Sequence, residues 1–252
     1  MRLVMFIGLC LAVTASALGG DDDVAQLIDR ALKAHGGAER LAQPRAYAVV
    51  VEMTAKSKRA PAGASSTATH SFQPPNQYRL EEDTVRGGRP SKYIEVYNGS
   101  RGWTKRDGVL QTMAPRSAAQ PPDVQQGFGY KFVLCLRDRN NTAAALGASK
   151  VGTTAVFGVK LTRPLGRGSE ERRLYFDTET GLLLKSELHA RLSTGGELAS
   201  EQTWADWKLI DGIAVPHRVT NAIRDAGSTV HERIFTDFKF ADKLDPKLFD
   251  RP

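Results

Sequence analysis

Apolar positions first recur at helical spacing and then, past Pro44, at every second residue. Val24, Leu27, Ile28, Ala31 and Leu32 share one face of a predicted helix that Asp22 and Asp23 can cap. Gly36 and Gly37 end it, with His35 set against the last carbonyls. Residues 38–41 predict one further turn. Tyr47, Val49, Val51 and Met53 then alternate with Ala48, Val50, Glu52 and Thr54, which predicts a strand with one strongly apolar face. More strands are predicted over 66–72, 78–85, 92–97, 102–105 and 109–113, with Asp107-Gly108 as a hairpin signal between the last two.

This pattern stops at Ala114. A Pro- and Gln-rich stretch, 115–126, leads into the apolar run 128–136, which periodicity leaves open between a buried strand and a helix. Strands resume after Asn141, over 156–161, 172–176, 182–189, 201–209, 213–222 and 229–240. Asp177-Thr178-Glu179-Thr180-Gly181 and Asp211-Gly212 supply turns. Strands joined by short turns, without helical spacers, predict an antiparallel meander in a mainly β chain with few helices. No domain boundary is visible, so residues 18–252 are expected to form a single domain.

The start of the chain changes the picture of where this domain works. Met1-Arg2 is a short positive region, residues 3–13 are apolar, and Ala15-Ser16-Ala17 matches the small-x-small pattern of a cleavage site. That predicts an exported chain whose leader, residues 1–17, is removed, giving a periplasmic protein. Lipidation at Cys10 is the alternative, against which stands Leu9, too large for the position before the cysteine. With Cys10 gone, Cys135 is alone, so the fold has to hold by its core.

Composition narrows the class further. Over 252 residues, 41% hydrophobic and 25% charged residues fit a globular chain, and 23 glycines with 12 prolines favour turns. The net charge of +7 is spread along the chain and builds no nucleic-acid arm, so no nucleic-acid partner is expected.

Catalytic motifs are missing. His35, His70, His189, His217 and His231 contain no helical i, i+4 pair for zinc, and His231-Glu232 has Phe235 where a metalloprotease needs its second histidine. Glu81-Glu82-Asp83 and Glu170-Glu171 read as solvated strand faces. The chain is therefore expected to be no enzyme and to use neither metal nor cofactor. Several strands carry large side chains in phase, which predicts a curved sheet whose concave face is either packed or left as a hollow. Tyr78, Leu80, Trp103, Phe132, Leu134 and Trp204 are the residues expected to line that hollow.

The leader, the helix ending in His35-Gly36-Gly37 and the stretch Tyr97-Asn98-Gly99-Ser100-Arg101-Gly102-Trp103 resemble the bacterial outer-membrane lipoprotein carrier-like (LolA/LolB-like) superfamily. So do Tyr175 to Leu183, Ile210 to Pro216 and the terminal Leu248-Phe249, and the chain resembles the longer relatives more than the carriers themselves. The resemblance implies an open half-barrel of roughly eleven strands, covered by the N-terminal helix and a lid segment. It implies a monomeric binder or carrier of a lipid, a lipoprotein acyl chain or another amphiphile, with peripheral membrane contact left open. The alternative is an envelope sensor or protein-interaction domain on the same fold with a packed core, meeting an envelope protein partner.

Overall fold

The computed structural model describes residues 21–57, 60–113, 129–165, 168–191, 197–223 and 229–252. The expected leader and the Pro- and Gln-rich stretch lie outside these residues, and so do the side chains of Asp22 and Asp23. The described chain forms α1 (Asp21–Ala34), α2 (Ala38–Ala42) and α3 (Tyr130–Cys135) beside one sheet. Helix α1 buries Val24, Ile28, Ala31 and Leu32, the face its spacing predicts. Its end is a Schellman turn: the Gly37 N–H donates to the Leu32 carbonyl at 2.8 Å and the Gly36 N–H to the Lys33 carbonyl at 3.2 Å.

Six strands follow: β1 (Ala46–Ser57), β2 (Ala60–Gln73), β3 (Gln77–Arg86), β4 (Arg89–Asn98), β5 (Gly102–Arg106) and β6 (Val109–Met113). Seven more come after α3: β7 (Thr142–Val151), β8 (Thr154–Leu165), β9 (Gly168–Asp177), β10 (Leu183–Arg191), β11 (Glu197–Ile210), β12 (Ile213–Ile223) and β13 (Thr229–Ala241). All 13 lie in one antiparallel sheet, ordered β6-β5-β4-β3-β2-β1-β13-β12-β11-β10-β9-β8-β7. The first block runs outward from the centre to one edge, and the second returns from the other edge to pair β13 with β1. The sheet stays open, with β6 and β7 as its edges. Asp107-Gly108 and Asp211-Gly212 make the expected tight turns, all four residues having positive φ.

Two features depart from the sequence reading. The sheet is wider than the resemblance implies, and β7 has no counterpart among the predicted strands. Its sequence, Thr-Ala-Ala-Ala-Leu-Gly-Ala-Ser-Lys-Val, is mostly small residues without the β-branched and aromatic alternation that marks a strand. The apolar run that could be strand or helix contains helix α3. In sequence α3 lies between β6 and β7, the strands at the two opposite edges of the sheet.

Register assigns every side chain to a face. Tyr47, Val49 and Val51 of β1 pair with Phe72, His70 and Ala68 of β2, and Phe72 with Tyr78 of β3, all on the inner face that the helices cover. That face holds the main core, where Trp204, Phe176, Phe235, Leu174 and Leu183 are almost wholly buried. A second cluster lies on the outer face. Val96 and its register partner Trp103 are covered there by Phe249, with Leu244 and Leu248 beside them. These last residues belong to the C-terminal segment, whose 3-10 turn Pro246–Phe249 is capped by the Asp245 carboxylate accepting from the Lys247 N–H at 2.9 Å. The Arg79 guanidinium holds it down by donating to the Leu248 carbonyl at 3.1 Å.

Candidate functional site on the inner face

Alternation along β1, β2, β3 and β13 sends Val51, Met53, Ala68, Leu80 and Phe235 to the inner face, around a cavity of about 230 Å³. Polar side chains complete its wall: Ser66, His70, Tyr78, Glu82 and Arg233. Two larger hollows, of about 440 and 470 Å³, are shallower depressions at the end of α1 and on the β2–β4 side of the sheet. The inner cavity joins apolar walls to a few convergent polar groups, the usual make-up of a small-molecule site.

The chemistry of that wall is set by burial. His70 Nδ1 lies 3.0 Å from the Tyr78 hydroxyl. Burial, aided by the positive charge of Arg233, lowers the His70 pKa to about 4, so the imidazole is neutral at neutral pH. Ser66 is 6% exposed, and its hydroxyl oxygen is buried without a hydrogen-bond partner among the described residues. No nucleophile–base–orienter arrangement is formed by these groups. No cluster of three or more His, Cys, Asp or Glu side chains that could hold a metal ion occurs among the described residues.

On the other half of the inner face, α3 docks directly on the sheet. Its Phe132 meets Trp204 of β11 edge-to-face, with ring centroids 5.9 Å apart. The Arg172 guanidinium of β9 stacks on the Phe132 ring at 4.3 Å and donates to the Ser186 hydroxyl of β10 at 3.3 Å. Its Nε is 3.5 Å from Glu170, and burial lowers its pKa against the pull of that carboxylate. Gly129, at φ +71, begins α3 where an added Cβ would stand 3.2 Å from the Trp204 indole nitrogen. A glycine there lets the helix approach both Trp204 and Trp207.

The six residues expected to line the hollow therefore separate into three groups. Tyr78 and Leu80 line the cavity. Phe132, Leu134 and Trp204 belong to the contact between α3 and the main core. Trp103 is on the outer face, because it pairs with Val96 while the inner-face positions of β4 are Tyr93, Glu95 and Tyr97. Sequence reasoning did not single out His70, Ser66, Arg172 and Arg233 as site residues. Their signal was a polar residue in phase with buried apolar ones, as in His231, Arg233 and Phe235 of β13.

Comparison with solved structures gives this architecture a place. A LolA superfamily protein from Nitrosomonas europaea matches with a TM-score of 0.52 at 13% identity, covering 90% of this chain and 97% of that one. The chain shares its fold with that protein. A domain from Vibrio parahaemolyticus described as an outer-membrane lipoprotein-sorting protein matches equally, at 0.52 and 13% identity over 88% of this chain and 97% of that one. A DUF1329 family protein from Desulfovibrio piger does so at 0.52 and 12% identity, over 90% and 97%. Neither a protein-family model nor a curated protein matches the sequence.

Proposed function

We propose that the protein binds and carries an amphiphile in the periplasm, taking a lipid or lipoprotein acyl chain onto the inner face of its sheet. The observation that carries this reading is the cavity between Val51, Leu80 and Phe235, apolar along most of its wall and polar at Ser66, His70, Glu82 and Arg233. Each methylene moved from water into such a wall contributes about 0.8 kcal/mol, and micromolar affinity needs about 8 kcal/mol, so a short acyl chain supplies the scale of energy required. The LolA-superfamily fold supports the reading, as does a solved neighbour described as a lipoprotein-sorting protein. No catalysis and no cofactor enter it, and the protein acts as a monomer.

A fluorescent fatty acid should bind and be displaced by a lipid extract of the cell envelope. Absence of binding well below micelle formation overturns the carrier reading. The second reading, an envelope sensor or protein-interaction domain, is favoured by the packing under α3, where Trp204, Phe176 and Leu174 are almost wholly buried. The compartment follows from the leader: residues 1–17 are removed after Ala17. Among the described residues no helix is long and apolar enough to cross a membrane. N-terminal sequencing of the exported form should begin near Leu18, and a lipidated Cys10 as first residue overturns this.

A further inference from the structure

A row of uncharged polar side chains crosses the inner face where a packed sheet would carry apolar ones. His231 of β13 pairs in register with Asn221 of β12, Asn221 with Gln202 of β11, and Gln202 with Ser186 of β10. Pairing with Leu174, which is fully buried in the main core, fixes Ser186 on the inner face, and Ser186 itself is 0% exposed. His231 Nδ1 and Asn221 Oδ1 are both buried without a hydrogen-bond partner among the described residues. Native folds leave few such atoms unmet, and those they leave ask for an occupant.

We propose that the inner face admits the polar group of its amphiphile as well as the chain, and that this group carries hydroxyls or amides that dock on His231, Asn221 and Gln202, the fully buried Ser186 closing the row where Arg172 already holds its hydroxyl. The inference rests on the binder reading above and names the class of its ligand.

The chemistry of the row selects among headgroups. Asn221 Oδ1 accepts and needs a donor; His231 Nδ1 accepts or donates according to tautomer. A hydroxyl or secondary amide donates and accepts at once, so it satisfies both. A bare acyl chain satisfies neither, and an ionised carboxylate offers no donor to Asn221. Burial and the neighbouring charge of Arg233 hold the His231 pKa below its ordinary value, which keeps the row uncharged at neutral pH. The next inner-face positions toward the helices are apolar, namely Val219 beside Asn221 and Trp204 beside Gln202. Those two are packed in the main core, whereas along β13 the row adjoins Arg233 and Phe235 of the cavity wall, so the chain lies in the cavity and the polar group on the row.

The test compares decyl glucoside with decanoate, matched in chain length and used below micelle formation, by calorimetry on the full exported chain. The glucoside is expected to bind at least tenfold tighter. Asn221→Leu and, as a volume-matched second variant, Gln202→Met are expected to erase that preference while leaving decanoate affinity unchanged. Asn221→Leu is also expected to melt no lower than the parent protein, because it removes an unpaired buried oxygen. Equal affinity for the two compounds, or a preference that survives in both variants, overturns the docking row and leaves the binder reading standing. Failure of both compounds to bind the parent protein overturns both.

Discussion

His35 accepts a hydrogen bond on Nε2 from the Leu183 backbone N–H at 3.3 Å, joining the end of α1 to the start of β10. Its other ring nitrogen, Nδ1, lies 2.7 Å from the Ala31 carbonyl and donates to it, which fixes the neutral tautomer. The His35 carbonyl accepts from the Ala214 N–H at 3.1 Å, so one residue ties α1 to two strands. A proton on Nε2 would break the contact to Leu183.

That arrangement makes stability depend on pH. Burial lowers the His35 pKa from 6.5 to about 4, and His70 moves to about 4 for the same reason. Between these values the unfolded chain takes up protons that the folded protein refuses. Stability is therefore complete above pH 6.5 and falls as the pH drops toward 4, by about 3 kcal/mol per group. Urea midpoints measured across that window should decline, and His35→Gln should flatten part of the decline. An unchanged slope in His35→Gln would show that His35 titrates freely.

Gly36 should tolerate no side chain. Its φ is +121°, and an added Cβ would stand 2.5 Å from the Gly212 carbonyl oxygen. Gly36→Ala is expected to cost about 2 kcal/mol or more, from backbone strain together with the clash. Gly37, at φ +87° with open space around it, is the control and should lose only about 1 kcal/mol as alanine. Equal losses in the two variants would contradict the close approach of α1 to the β11–β12 turn.

Cys135 reports on the docking of α3. The thiol is half-buried on a helix held to the sheet by Phe132, Trp204 and Arg172. Maleimide labelling should be slow in the free protein, since a shielded thiol is slow to react. Phe132→Ala should raise the rate severalfold by freeing the helix, and a bound amphiphile should change it by moving the helix. A rate that stays constant across a saturating lipid titration rules out movement of α3 on binding.

Phe249 closes the outer cluster over Trp103 and Val96. Phe249→Ala is expected to cost about 3 kcal/mol or more as a large buried ring is lost. Trp103 should become wetter at the same time, shifting tryptophan emission to the red in the folded protein. Unshifted emission would place Trp103 away from the C-terminal segment.

Much of the architecture was legible because each strand block announces itself locally. Tyr47, Val49, Val51 and Met53 showed β1 by period two, and Asp107-Gly108 and Asp211-Gly212 showed their hairpins. β7 was hidden because alanine and glycine carry little pattern. Faces were harder to read than strands. Trp103 looks like a residue of the hollow in isolation, and only its register opposite Val96 shows that it points outward. The polar row could not be seen at all without register, since His231, Asn221, Gln202 and Ser186 come together from four strands.

The pairing of β1 with β13 has a consequence for the order in which the chain can fold. The block β1–β6 is built from hairpins and can assemble from neighbouring residues alone, yet β1 keeps one bare edge until residues 229–241 arrive. Such an edge invites pairing with the wrong strand, and contacts between distant parts of a chain form late. A chain delivered N-terminus first therefore completes its first half long before it can close the seam. Productive folding then depends on shielding Ala46–Ser57 until the C-terminal strand has emerged.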